Sequence, residues 1–124
     1  MPQIEDHIEY AKHNESFADS FDLATTNYTD WIVTGKFYAA LHYVEACLAM
    51  YGEHPENHPA RDSHVRRTLP AIGNDYRKLK DDSINARYYG FRITEEEIKR
   101  TVSPSLDAIK SHILQLLGPT LTDN

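Results

Sequence analysis

Apolar residues recur along this chain at helical spacing, and nowhere do they alternate as in a strand. Ile4, Ile8, Ala11, Ala18, Phe21 and Ala24 fall three and four apart, with Glu5, Glu9, Lys12 and Asp19 opposite them. The spacing predicts an amphipathic helix from Ile4 to about Thr25. Asn27 to Asp30 reads as a turn, with Thr29 or Asp30 as N-cap of the next element. Trp31 to Tyr51 is apolar almost all round, which predicts a helix that is central in a bundle or that buries its second face against a second copy of the chain, and a homodimer is expected on that ground. The small residues Ala39, Ala40, Ala46 and Cys47 would permit close approach there. Gly35 is tolerated within that helix and Gly52 ends it.

Glu53 to Pro59 is a loop, and Pro59 suits the first turn of a short helix ending near Leu69. A fourth helix is expected from about Asn74 to Tyr89, with Tyr76, Leu79, Ser83 and Ala86 inward. Thr94 to Glu97 has the form of a capping box opening the last helix. Its inner face is Ile98, Val102, Leu106, Ile109, Ile113 and Leu116. Pro104 should kink or split that helix, Gly118-Pro119 should stop it, and the tail to Asn124 should be loose. The fold class is therefore all-α, one domain over residues 1–124, with no internal repeat.

Composition narrows the function classes. A chain of 124 residues buries roughly two-thirds of its unfolded surface and needs no covalent staple. The lone Cys47 cannot form an internal disulfide and reads as a small buried hydrophobe. The longest apolar stretch is broken by Lys36, His42 and Glu45, so it is a core helix and not a membrane span. The acidic N-terminus is unlike a signal peptide. The expected location is the cytoplasm, away from membranes. A formal net charge of −6 gives no long-range attraction to nucleic acid, although arginine and lysine cluster between Arg61 and Arg92.

Few residues suggest chemistry. His54, His58 and His64 lie close in sequence but match no metal-ligand spacing, and there is no Cys-x-x-Cys or His-Glu-x-x-His, so neither a metal nor a cofactor is expected. No glycine-rich phosphate loop and no Gly-x-Ser-x-Gly occurs. Tyr38, His42 and Glu45 share a stripe of the most apolar helix, as the polar floor of a pocket or as satisfied core groups. Arg87 lies four residues after Ser83 and is followed by Tyr88 and Tyr89. An arginine beside tyrosines can bind phosphate and stack a base, or pair with a carboxylate and cap the bundle. Arg77–Asp81 and Lys78–Asp82 are spaced as ordinary surface pairs.

Three stretches carry a family resemblance: DWIVTGKFYAALHYVEA (30–46), His58-x-x-Arg61 leading into Leu69, and YRKLKDDSINARYYG (76–90). Together they resemble the small prokaryotic branch of the HEPN domains, over about residues 4–116. Its most specific parts are FYAALHYVEA and SxxARYxG. The resemblance implies an up-and-down bundle of four main helices plus a short one, frequent homodimers, and association with RNA or nucleotides. Many HEPN proteins are metal-independent ribonucleases marked by an arginine with a histidine about four to six residues later. Arg87 matches the arginine, but Phe91, Arg92 and Ile93 stand where the histidine would be, and the next residue, Thr94, is not a histidine either.

The leading expectation is thus a non-catalytic, dimeric HEPN-like domain that binds RNA, a nucleotide or a protein partner such as a nucleotidyltransferase. Its expected ligand-binding residues are Tyr38, His42, Arg61, Arg87 and Tyr88. The rival is a divergent ribonuclease using His42 or His64 as base, with Arg61 or Arg87 stabilising the phosphorane.

Overall fold

The computed structural model describes residues 3–121, and among them the chain is all-helical with no strand. The order is α1 (Ile4–Asp19), α2 (Thr29–Met50), α3 (His58–Thr68), a 3-10 turn (Pro70–Ile72), α4 (Gly73–Tyr88), α5 (Glu95–Glu97), a π-helical turn (Ile98–Val102) and α6 (Ser103–Leu121). The long helices α1, α2, α4 and α6 form the bundle, and the short α3 lies beside it. Ala18 meets Gly35 while His7 meets His42, so α1 and α2 run antiparallel. Thr34 faces Ser83 while Phe37 faces Tyr76, so α2 and α4 do too.

Helix α2 is the axis. It packs against α1, α4 and α6, with α3 touching it more lightly, and the residues buried along it lie on every side. Ala39, Ala40, Ala46 and Cys47 are fully buried within the single chain. The argument that α2 needs a second copy to cover it therefore falls away, because four elements of one chain already enclose it. One of its polar groups is met from two helices: the buried Tyr43 hydroxyl donates to Glu15 Oε2 at 2.5 Å, and Lys110 Nζ reaches the other Glu15 oxygen at 3.2 Å. Burial and this neighbouring carboxylate push the Tyr43 phenol far above its ordinary pKa.

Several boundaries differ from the expected ones, each for a local reason. Helix α1 stops at Asp19, not Thr25. The Ser20 hydroxyl donates to the Phe17 carbonyl at 2.7 Å and Asp22 Oδ1 accepts from the Ala24 amide at 3.1 Å, so short polar side chains satisfy the backbone outside a helix. Helix α2 begins at Thr29, earlier than expected, and neither Thr29 nor Asp30 is its N-cap; that position is Tyr28, whose carbonyl receives the Trp31 and Ile32 amides. At its other end Gly52 has φ +77°, and the Glu53 amide reaches back to the Leu48 carbonyl at 2.8 Å. This left-handed closure is the one glycine supplies without a Cβ clash.

Thr94 and Glu97 form the expected reciprocal cap. Pro104 is accommodated by the π-helical turn before it, in which the Ser103 amide bonds to the Ile98 carbonyl. The helix is thereby re-phased rather than broken. Gly118-Pro119 does not stop α6, which runs on to Leu121. A proline so near a helix end removes one hydrogen bond and leaves little helix to break beyond it. Residues 122–124, expected to be loose, lie outside the described residues.

Gly35 marks the closest approach of α1 and α2. A Cβ there would lie 3.0 Å from Phe17 Cδ2, 3.2 Å from Ala18 Cβ and 3.4 Å from the Asn14 carbonyl. Phe17 can swing outward, but the Ala18 methyl is fixed to its helix. Gly35→Ala is therefore expected to lose more to crowding than the ~1 kcal/mol it gains in helix propensity, for a net cost of about 1 kcal/mol. Urea unfolding of the variant measures this, and a gain in stability would mean that α1 can shift.

Candidate functional site

The polar groups of α2 divide between two clefts instead of converging on one. Tyr38 opens to the first together with Asp30, Trp31, Thr34, Arg87 and Tyr88, around a volume of about 490 Å³. His42 and Glu45 open to the second with His7, His54 and Arg61, around about 320 Å³. Residues 38, 42 and 45 share a helical stripe, yet α4 covers one end of it and the α1–α3 side covers the other. Of the other expected ligand-binding residues, Tyr38 and Tyr88 share the cleft of Arg87, whereas His42 and Arg61 open to the second cleft instead.

In the first cleft, the Arg87 Nε donates to the Ser83 carbonyl at 3.2 Å, and its NH1 lies 3.4 Å from the Tyr38 hydroxyl. Its guanidinium carbon sits 5.7 Å from the Tyr38 ring centroid and 5.1 Å from that of Tyr88. Among the described residues no carboxylate lies within ion-pair distance of it. The guanidinium is oriented by its own helix and two phenol rings, and the rest of its hydrogen-bonding fork is uncommitted. Tyr88 is 71% exposed and Trp31 46% exposed. An adjoining groove that shares Asp30 is lined by Phe91 and Arg92. Gly90, at φ +67°, makes the turn that carries Phe91 out of α4, and the Phe91 amide closes on the Asn85 carbonyl at 3.1 Å.

The second cleft is built around two histidines that the sequence places 35 positions apart. His7 Nδ1 and His42 Nδ1 are 3.2 Å apart, and their rings stack with centroids separated by 5.4 Å. Tyr10 leans on the His42 ring. Burial first, then the charge that His7 would carry, lowers the His42 pKa to about 4. Burial also lowers that of His7. At neutral pH both are uncharged, with one Nδ1–H donating to the other ring. Glu45 accepts a hydrogen bond from Arg61 Nε, and these side chains are only 9% and 12% exposed. Arg61 NH1 also contacts His58 Nδ1 at 3.0 Å.

This constellation is poorly suited to cutting a phosphodiester. A histidine that protonates near pH 4 is a weak base at pH 7 and offers no acidic proton. Arg61, the nearby cation, already neutralises Glu45. His64 does not join the cleft; its Nδ1 pairs with Glu53 Oε1 at 2.8 Å and ties the α2–α3 loop to α3. The Cys47 thiol is raised by burial to about 11, so it stays protonated. Among the described residues no three His, Cys, Asp or Glu side chains are grouped to hold a metal ion, and no helix is long and apolar enough to cross a membrane. Sequence reasoning missed His7 and the Glu45–Arg61 pair. The placing of His7 at the buried positions of α1, beside Ile8 and Ala11, was the available signal.

No protein family model matches this chain, and neither a characterised protein nor a solved structure is significantly similar to it.

Proposed function

We propose that this chain is a non-catalytic binding module that takes up single-stranded RNA or a nucleotide in the Arg87 groove. One observation carries the reading: a half-buried guanidinium, free of any carboxylate partner among the described residues, lies against Tyr38 and Tyr88 and opens to a groove walled by Trp31. A guanidinium fork matches phosphate oxygens, and exposed rings stack bases at about 1–3 kcal/mol per base. Asp30 and Thr34 supply an acceptor and a hydroxyl at the same groove for base or ribose edges. The net charge of −6 removes long-range steering, so affinity rests on these contacts and should be modest. The HEPN resemblance, with its RNA and nucleotide associations, points the same way. Its missing nuclease histidine agrees with binding without cleavage, as does the neutral His7–His42 pair.

Arg87→Ala should weaken RNA binding about tenfold or more while costing under about 1 kcal/mol of stability, because its removal strands no buried charge. Tyr88→Ala should weaken binding by a similar factor through lost stacking. Mobility-shift titration with a single-stranded oligonucleotide, beside thermal melting, reads both, and the RNA should be recovered intact. Robust cleavage would instead favour the ribonuclease reading. Self-association, or nucleotidyltransferase binding, that is lost in both variants while RNA fails to bind would assign the groove to a second copy or a protein partner.

A further inference from the structure

A third cleft, between α3 and α4, encloses about 470 Å³ and shares no lining residue with the Arg87 groove. Two of its residues each hold a buried polar atom that makes no well-formed hydrogen bond: Asp62 Oδ1 and the Tyr76 hydroxyl. Tyr76 is only 2% exposed, and its ring lines the cleft. Buried polar groups in folded proteins are nearly always paired, and one side chain in a cleft left open is a sign of something that completes it. Two such atoms in one cleft define what that something must offer.

The other oxygen of Asp62 receives the Lys80 ammonium, so Oδ1 is an acceptor awaiting a donor. Burial raises the Tyr76 phenol well above its ordinary pKa, so it remains protonated and can both donate and accept. Arg61, with its Nε engaged by Glu45 and its NH1 by His58, acts on the Tyr76 oxygen both as a charge and as a hydrogen-bond donor, so it is the phenol proton that lacks an acceptor. An ammonium could serve Asp62 but could not accept from the phenol. A carboxylate or phosphate could accept from the phenol but would be repelled by Asp62. A hydroxyl does both, donating to Asp62 and accepting from Tyr76.

The rim asks for a different group. Arg66 and Arg77 line the cleft, and among the described residues neither has a carboxylate within ion-pair distance. Arg77 stands four residues before Asp81, the spacing of a routine helical pair, yet that pair does not form while Lys78–Asp82 beside it does, at 2.8 Å. Two uncommitted guanidiniums at the mouth suit an anion. The enclosed volume lies in the range of small-molecule sites. We infer that the α3–α4 cleft binds a sugar phosphate, with a sugar hydroxyl between Asp62 and Tyr76 and the phosphate on Arg66 and Arg77. The ligand is either a free sugar phosphate or the sugar phosphate of a nucleotide.

The test is a titration of the full-length, ¹⁵N-labelled chain with ribose 5-phosphate, followed by amide shifts, with ribose, inorganic phosphate and adenosine monophosphate as parallel arms. Ribose 5-phosphate should give saturable shifts clustered on α3 and the first half of α4, with a Kd at least about tenfold below those of ribose and of phosphate alone. Tyr76→Phe and Arg77→Ala should each weaken it about tenfold. Tighter binding of the nucleotide at the same amides would identify the nucleotide as the source, and weaker binding the free sugar phosphate. The inference is overturned if no shifts arise in the cleft, if inorganic phosphate binds there as tightly, or if Tyr76→Phe leaves the affinity for ribose 5-phosphate unchanged. Because the two clefts are separate, Arg87→Ala should leave this binding unchanged, and failure of either site is visible without the other.

Discussion

Glu45→Ala is expected to destabilise the fold by about 3–5 kcal/mol, the largest effect of any polar substitution considered. Glu45 sits on the buried face of α2 and receives the Arg61 guanidinium from α3. Removing the carboxylate leaves Arg61, 12% exposed at its side chain, as an uncompensated charge beside His58, Tyr76 and the histidine cleft. The pair holds α3 to the bundle, so its loss should also loosen the wall of the α3–α4 cleft. Replacing both partners with leucine should recover most of the loss, because the penalty comes from stranding a charge and not from the pair's net worth. Urea unfolding of the two single variants and the double variant measures this. A loss below about 1 kcal/mol for Glu45→Ala would mean that Arg61 escapes to solvent.

The second large effect is loss of stability in mild acid. His42 titrates near 6.5 when unfolded and near 4 when folded, its charged form being opposed by burial and then by His7. Below pH 6.5 the unfolded chain therefore binds a proton that the folded chain refuses. Stability from this group is complete above about pH 6.5 and falls as pH drops towards 4. His7, shifted in the same direction by burial, adds to the slope. The full shift of His42 corresponds to about 3 kcal/mol, and solvent at the cleft mouth should reduce it to about 2 kcal/mol. Urea midpoints between pH 7.5 and 4.5 should fall steeply for the native chain and more gently for His42→Leu. Equal slopes would show that ordinary carboxylates cause the acid loss.

The helices were legible in the sequence because α2 is apolar almost all round and burial of α4 and α6 follows a period that local reasoning can read. Leu41, Val44 and Leu48 are buried as their spacing required. What escaped was set by short polar side chains and by contacts distant in sequence. Ser20 and Asp22 ended α1 early through bonds to nearby backbone, which apolar spacing does not record. Pro104 announced a disturbance but not its form, since the π-helical turn depends on the Ile98–Ser103 bond. In the candidate site, Arg87, Tyr38 and Tyr88 could be grouped because SxxARYxG places two of them side by side and α2 supplies the third. His42 and Arg61 were grouped with them only because they share a stripe or a charge. Which cleft each enters is decided by how α1 and α3 cross α2, and His7 arrives from 35 residues away.

Trp31 is the chain's single tryptophan and it lines the Arg87 groove, so it reports on the central claim directly. Titrating the native chain with a short single-stranded oligouridylate should quench its emission along a saturable curve as a base stacks nearby. The apparent affinity should fall as salt is raised, with a shallow slope because few phosphates are contacted. Arg87→Ala should shift the curve about tenfold or more while its unliganded emission and melting temperature stay near those of the native chain. Emission that is unchanged by RNA, or quenched equally in the native and Arg87→Ala chains, would contradict the account.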